Sequence, residues 1–283
     1  MSLAMHAQKR DLRKKDYQKI VSFSFLHPNL KVNIFSKPDK LGVKIVRIGD
    51  GNLAIKHFHQ TNSSSLILYF HGGAFTVPMN TDQFNMIENV AQQSESDLYI
   101  ADFPLIPAHS GQELLNFSEE AFKQASSTGQ KVFLLADSAG ATLAIHLAEK
   151  YRNQISGLIL ASPWIVSETQ PANSTKEDLM LDPAVLNQIR DQFLVGLSDG
   201  DSFSFLDSEK LNNLKVLLIY GSEEILADTD QKLISALDNA ADTEVLIDEV
   251  KGAFHDFILW NKLPETKKAI KKIADFIKYQ RGV

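Results

Sequence analysis

A serine surrounded by small residues stands at Ser138, in the stretch ADSAG (136–140). The apolar run before it is typical of a strand, and the residues after it are typical of a helix. A sharp strand-to-helix turn strains its corner residue and leaves room only for small neighbours such as Ala136 and Gly140. It also aims the backbone N–H of Ala139 at the space where negative charge would develop. Ser138 is therefore a candidate nucleophile, with a simple helix N-cap as the alternative.

A glycine pair precedes this serine in the stretch YFHGGAF (69–75), which follows another apolar run. Glycine lets the backbone approach a ligand closely and direct its N–H groups at it. Gly72 and Gly73 are therefore candidate oxyanion donors, and a plain turn is the alternative. We expect His71, on the same loop, to fix the loop by hydrogen bonding and not to act as the general base.

A serine hydroxyl needs a base to remove its proton. Of the eight histidines, His255 comes directly after the last predicted strand, in KGAFHDF (251–257). His146 lies two helical turns beyond Ser138, where we expect it to face the core or a neighbouring helix. His255 is therefore the candidate base. With an ordinary pKa it would give a pH profile that rises with a midpoint near ~6.5.

The imidazole of such a base needs an acid that holds its tautomer and offsets its charge. The stretch LLIYGSEEILAD (217–228) offers Glu223, Glu224 and Asp228 after the preceding strand. Any of the three then gives the chain order serine, acid, histidine. A carboxylate that favours a helix N-terminus is the structural alternative for each.

These residues require a scaffold that brings several loops together, and the pattern of apolar runs supplies one. Strand-like and helix-like segments alternate from about residue 43, which predicts a mostly parallel sheet with helices on both faces. A turn signal at Asp50-Gly51-Asn52 predicts an antiparallel hairpin at the start. The later strands are continuous apolar runs, typical of strands buried on both faces. The predicted strands are 43–48, 53–58, 65–70, 97–103, 131–136, 156–162, 214–221 and 243–250, and the predicted helices are 82–93, 111–126, 139–151, 227–240 and 265–280.

Two segments do not fit the alternation. Residues 1–40 are rich in Lys and Arg, and residues 165–213 contain a predicted helix near 183–194. We expect both to form a small cap over the carboxyl edge of the sheet, where open α/β sheets bind ligands. The prediction is one domain over residues 1–283, and a partner-binding role for the basic segment stays open.

Composition excludes several classes of protein. The 283 residues include no cysteine, so disulfides, thiolate metal sites and a cysteine nucleophile are ruled out. A net charge of −6 without an extended basic patch argues against nucleic acid as a partner. No apolar run suits a membrane span or a secretory signal, which predicts a cytoplasmic protein. We expect no metal and no cofactor.

Taken together, the motifs resemble the hormone-sensitive lipase-like family of α/β-hydrolase esterases. The resemblance runs from about residue 65 to 258, with every motif in order. Three substitutions depart from the usual pattern. Ala74 replaces the third glycine of HGGG, Ala136 replaces the first glycine of GDSAG, and Glu224 stands where the family's acid motif has aspartate. The similar stretches are HGGAF (71–75), ADFPLIPAH (101–109), ADSAG (136–140), ASPW (161–164), GSEEILAD (221–228) and GAFHDF (252–257).

The resemblance implies an α/β-hydrolase fold and a serine carboxylesterase or lipase that uses a Ser138–Glu224–His255 triad, with Glu224 aligned on the family's acid. It implies a small-molecule ester of short or medium acyl chain as substrate, and a homodimer would be unsurprising. An arylformamidase-like amidase with the same triad is the nearest alternative. A non-catalytic ligand-binding protein on this fold, like the plant gibberellin receptor, is the second, although such relatives lose part of the triad.

Apolar residues next to the motifs are candidates for the substrate pocket. Phe75 follows the glycine pair directly and is the one that we favour most. Burial in the core is the commoner position for such residues and is the alternative for each. The candidates are Phe75, Trp164, Ile225, Phe254 and Phe257.

Overall fold

One mixed sheet organises the chain. The computed structural model describes residues 1–58, 63–166, 178–195, 197 and 206–282, without the side chains of residues 228 and 229. In this part of the chain the strands are β1 (Lys44–Ile48), β2 (Gly51–Lys56), β3 (Ser65–Phe70), β4 (Asp97–Asp102), β5 (Lys131–Asp137), β6 (Ile155–Ala161), β7 (Lys215–Gly221) and β8 (Glu244–Val250). The helices are α1 (Leu3–Lys14), α2 (Tyr17–Leu26), α3 (Pro38–Leu41), α4 (Thr81–Ser94), α5 (Gly111–Ser126), α6 (Gly140–Tyr151), α7 (Pro183–Val195), α8 (Ala227–Asp238) and α9 (Pro264–Arg281).

The strand order is β1-β2-β4-β3-β5-β6-β7-β8. β1 and β2 form an antiparallel hairpin and β2 also runs antiparallel to β4, whereas every later pair in the sheet is parallel. This confirms the mostly parallel sheet with an antiparallel start. The hairpin turn lies one residue earlier than predicted, at Gly49-Asp50, because Ile48 pairs with Gly51. The carboxyl ends of β5, β7 and β8 therefore meet at one edge, which is where the candidate site residues follow.

Helices cover both faces of the sheet, as the alternation predicts. One apolar cluster contains side chains of α5, α6, α7 and α8, and the other contains side chains of α1, α4 and α9. The apolar stripe of α9 supplies Ile270, Ile273 and Ile277 to the second cluster, while Lys271 and Lys272 of the same helix are exposed. Burial of this stripe is the main stabilisation that such an amphipathic helix gains.

The expectation that every later strand is buried on both faces is wrong for β8. This strand pairs only with β7 at the end of the sheet, and Leu246 is 57% exposed. Its apolar run resembles those of the inner strands, because periodicity does not report whether a strand has one neighbour or two. β3, by contrast, is buried along its whole length.

The described parts of the two extra segments contact each other at the carboxyl edge. The Gln18 side chain donates hydrogen bonds to the carbonyl oxygens of Asp178 and Leu181, at 3.2 and 2.6 Å. α7 lies at 183–195, close to the predicted helix. Much of the 165–213 segment lies outside the described residues, so the cap stays a prediction. Within the described residues, no helix is both long and apolar enough to cross a bilayer.

Candidate active site

Ser138 stands at the corner between β5 and α6, with a positive φ of 46°. This is the left-handed region that a residue other than glycine rarely adopts, so the predicted strained corner is confirmed. A Cβ on Gly140 would lie 2.1 Å from the carbonyl oxygen of Phe70. Only glycine therefore lets α6 approach β3 so closely, and this approach fixes where the serine hydroxyl points.

Three loops bring Ser138, His255 and Glu224 into one hydrogen-bonded chain. The Oγ of Ser138 lies 3.0 Å from Nε2 of His255, and Nδ1 of His255 lies 2.6 Å from Oε2 of Glu224. The three residues are 6%, 2% and 0% exposed. Glu224 orients the ring by accepting a hydrogen bond from the Nδ1–H group, which leaves the lone pair of Nε2 to accept the serine proton.

The carboxylate of Glu224 is held by more than the histidine. Its Oε1 accepts hydrogen bonds from the backbone N–H of Gly221 at 2.5 Å and from the hydroxyl of Ser162 at 3.1 Å. A buried carboxylate needs such partners to remain charged. Of the other two candidate acids, Glu223 points away into an ion pair with Lys9. The side chain of Asp228 lies outside the described part of the structure.

A further carboxylate, Asp256, borders the histidine and was missed by the sequence analysis. Its φ is 52°, and its Oδ2 lies 3.3 Å from Nε2 of His255. Burial lowers the pKa of His255, but the negative charges and hydrogen bonds of Asp256 and Glu224 outweigh burial and raise this pKa well above its ordinary value. The imidazole therefore loses its proton at a higher pH than the sequence alone suggests.

The glycine loop after β3 lies directly against the serine corner. A Cβ on Gly72 would lie 2.5 Å from Oδ2 of Asp137 and 2.9 Å from Cβ of Ser138. Gly73 has a φ of 109°, which glycine adopts readily, whereas Ala74 and Phe75 also have positive φ and are therefore strained. The backbone N–H groups of Gly72, Gly73 and Ala139 donate to no group in the described residues. They are available to an oxyanion.

A buried polar network supports this loop. Asp137 accepts hydrogen bonds from the hydroxyl of Tyr69 and, at 2.9 Å, from the amide of Gln83. Burial and the charge of Asp256 raise the pKa of Asp137 to about 6. His71 stacks on Phe103 and donates from Nδ1 to the carbonyl of Gly72 at 2.6 Å, and burial lowers its pKa. This is the fixing hydrogen bond predicted for His71.

The candidate pocket residues are all buried. The ring of Phe75 contacts Trp164 and Phe193 at centroid distances of 5.6 and 4.8 Å, while Phe254 packs edge-on against Trp260. Burial also suits the core, so their role in a pocket stays a prediction. The residues concerned are Phe75, Trp164, Ile225, Phe254 and Phe257.

Two supporting residues were missed besides Asp256. Lys9 of α1 is buried, forms an ion pair with Glu223 and donates to the carbonyl of Gly252 at 3.2 Å. A signal for it existed, because Lys9 shares a helix face with the apolar Met5 and Leu12. Ser162 joins Glu224 to the backbone N–H of Asp256. A signal for it existed as well, because Ser162 lies in ASPW (161–164), one of the stretches that resemble the family, but the sequence analysis gave it no role.

One group of described side chains has the spacing of a metal site. Ligand atoms of Asp50, His109 and Glu113 all lie within 4.8 Å of one another, and none of the three is buried. They come from the hairpin turn, the loop before α5 and the first turn of α5, and they include no residue of the serine–histidine–glutamate chain. Exposed acidic groups often cluster in this way without binding an ion.

The chain resembles known proteins both in sequence and in fold. The chain is 28% identical to an esterase from Acinetobacter venetianus over 77% of its length and 76% of the relative's. It is 25% identical to the esterase LipU from Mycobacterium tuberculosis, over 76% and 78%. An esterase/lipase structure from an uncultured bacterium superposes with a TM-score of 0.79 at 20% identity, covering all of both chains. A hormone-sensitive lipase from a metagenome library gives 0.73 at 19%, over 95% and 98%. A family model described as the alpha/beta hydrolase fold matches residues 67–259, more than half of the sequence, and the chain therefore belongs to that family.

Proposed function

We propose that this protein is a serine carboxylesterase of the hormone-sensitive lipase-like group, acting on esters of short or medium acyl chain. The observation that carries the proposal is the hydrogen-bonded chain from Ser138 through His255 to Glu224. The esterase names of the relatives and the HGGAF and ADSAG motifs support the same reaction.

The reaction begins when Oγ of Ser138 attacks the ester carbonyl carbon and its proton passes to Nε2 of His255. The carbonyl oxygen becomes an oxyanion that accepts hydrogen bonds from the backbone N–H groups of Gly72, Gly73 and Ala139. The bond to the alkoxy group then breaks, and His255 gives its proton to the leaving alcohol. An acyl-enzyme on Ser138 remains.

Water completes the cycle. The oxygen of a water molecule attacks the acyl carbon while Nε2 of His255 takes a proton from that water. The second tetrahedral intermediate then collapses, and the bond between the acyl carbon and Oγ of Ser138 breaks. The acid product leaves and the proton returns to Ser138. Throughout, Glu224 stabilises the imidazolium that forms at each step. Nothing in this cycle requires a metal or an organic cofactor.

The acyl chain is assigned to the apolar side of the serine corner, with Phe75 as its first contact. Phe75 follows the oxyanion loop directly and touches Trp164. Ile225 and Phe254 flank the acid and base residues in the chain and are assigned to the remaining wall. A pocket lined in this way takes hydrophobic acyl groups and gives no reason to favour a charged one.

The test is hydrolysis of p-nitrophenyl esters from acetyl to long acyl chains, together with the matching anilides. We expect turnover that falls to background in Ser138→Ala and is unchanged in Ser127→Ala, an exposed serine after α5. A phosphonate that reacts with activated serines should label Ser138 alone. Faster cleavage of anilides than of esters would favour the amidase. A folded protein with neither turnover nor labelling would contradict an enzymatic role.

A further inference from the structure

The exposed apolar side chains in the described part of this protein are concentrated in one segment of the chain. Of the eleven large apolar side chains exposed in the described part, seven lie within residues 1–32. Phe23 is 66% exposed and Ile20 is 52% exposed. Single exposed apolar residues are ordinary, but several close together mark an interaction surface. The ones that we call the α2 patch are Ile20, Phe23, Leu26, Leu30 and Val32.

Helix α2 is largely apolar although it lies at the surface of the protein. None of its residues is buried, although YQKIVSFSFL is largely apolar. Ile20, Phe23 and Leu26 follow one another at three-residue spacing, which puts them on one face of the helix. Contact with α7 and the hydrogen bonds of Gln18 hold the helix on the molecule. The patch is therefore displayed on an anchored helix.

Charge around the patch is strongly biased. Residues 1–40 contain nine Lys and Arg against three Asp, whereas residues 41–283 contain 20 against 32 Asp and Glu. Lys14 and Lys31 are exposed and pair with no carboxylate in the described residues. Lys15 and Lys19 form ion pairs with Asp11 and Asp16, so the surplus rests on the remaining exposed Lys and Arg residues of the segment.

We propose that the α2 patch and the lysines around it dock this protein onto the surface of an anionic lipid bilayer. Apolar side chains of a surface helix enter the boundary between headgroups and acyl chains, and lysines at its margin attract acidic headgroups. The docking is peripheral, with the acidic body of the protein facing away from the membrane.

The alternative occupants fit less well. A two-fold dimer through the patch places the same surface against itself, which brings two strongly basic segments together. A nucleic acid would pair with the lysines but leaves Phe23, Ile20 and Val32 without an apolar partner. A bilayer with acidic headgroups meets both requirements at one surface.

The test is co-sedimentation of the full chain with phosphatidylcholine vesicles that either contain or lack roughly 30 mol% phosphatidylglycerol. The buffer has about physiological ionic strength. We expect binding to the anionic vesicles, at least ~10-fold weaker binding to neutral ones, and weakening as salt is raised. Ile20→Ser/Phe23→Ser should lower the partition coefficient about 10-fold or more. Lys14→Gln/Lys31→Gln should lower it several-fold and flatten the salt dependence.

Matched control variants distinguish docking through the α2 patch from non-specific association with vesicles. Leu246→Ser/Ile247→Ser removes two exposed apolar residues from β8, and Lys267→Gln/Lys268→Gln removes two exposed lysines from α9. Both should bind as the wild type does. Equal binding by the α2 variants, or no binding by a folded wild type, would overturn the proposal. A wild-type dimer that becomes monomeric in Ile20→Ser/Phe23→Ser, without vesicle binding, would assign the patch to a second copy instead.

Discussion

The loops at the carboxyl edge of the sheet and the outer face of α2 differ in how their side chains are partnered. Glu224 and His255 are buried, and each makes at least two polar contacts. Phe23 and Ile20 are exposed on a helix without a buried residue. A change at the edge therefore alters reacting geometry, whereas a change on α2 should leave the hydrolysis of a soluble ester unaltered. Ile20→Ser/Phe23→Ser is therefore the unaffected reference with which the activity of each edge variant is compared.

The largest effect is expected from Glu224→Gln. The amide keeps the size of the side chain but removes the charge that stabilises imidazolium, and it can impose the wrong histidine tautomer. We expect kcat to fall by on the order of 10⁴, as for comparable substitutions in serine triads. Steady-state kinetics on a soluble p-nitrophenyl ester measures it.

The exposed neighbour Glu223 supplies the control for this prediction. Glu223→Gln removes a charge one residue away without touching His255, so its kcat should stay within about tenfold of the wild type, which includes any loss through Lys9. A Glu224→Gln variant as active as Glu223→Gln would remove Glu224 from the triad.

Gly72→Ala should have the next largest effect. Its Cβ would overlap Oδ2 of Asp137 and crowd Ser138, so the loop must shift. Its backbone N–H groups would then no longer point at the oxyanion. Loss of one oxyanion donor costs about 10² to 10³ in kcat. We expect a loss of this size with a smaller change in KM. Unchanged kcat in a folded variant would mean that this loop does not stabilise the oxyanion.

The chain alone predicts the strands, the strained corner and the residues of the site, because each rests on a local signal. Ser138 and His255 follow apolar runs, and the alternation of strands and helices brings those runs to one edge. The residues alone left Glu223, Glu224 and Asp228 open as the acid, since neighbouring residues differ only in which way the loop turns them. Only the family resemblance singled out Glu224, which lies 2.6 Å from Nδ1 of His255. Asp256 was missed for the same reason, because a positive φ turns its carboxylate back toward His255.

Asp256→Asn should change the pH dependence more than the maximal rate. His255 acts as a base only when neutral, so activity rises with pH through its pKa. The charges of Asp256 and Glu224 raise that pKa, and this places the rise at more alkaline pH than an ordinary histidine would give. Removing the charge of Asp256 lowers the pKa of His255, so kcat/KM should rise at a lower pH. Profiles that coincide for variant and wild type would contradict this arrangement.

The smallest edge effect is expected at Lys9, which belongs to the same basic segment as the α2 patch but points inward. Its ammonium joins the acid loop at Glu223 to the base loop at Gly252 and touches neither Glu224 nor His255. Lys9→Met keeps the length of the side chain and removes this link. Small misplacements of reacting groups cost up to about 10²-fold, and we expect a loss of roughly tenfold in kcat here.

Four measurements distinguish a positioning role of Lys9 from simple destabilisation. KM and the midpoint of the pH profile should stay unchanged, because Lys9 neither meets the substrate nor faces the imidazole. Lys9→Arg should restore most of kcat, since a guanidinium can still bridge Glu223 and the Gly252 carbonyl. A loss of thermal stability in Lys9→Met without loss of kcat below the unfolding transition would make Lys9 a packing residue. In that case both faces of the N-terminal segment would be equally remote from the reaction.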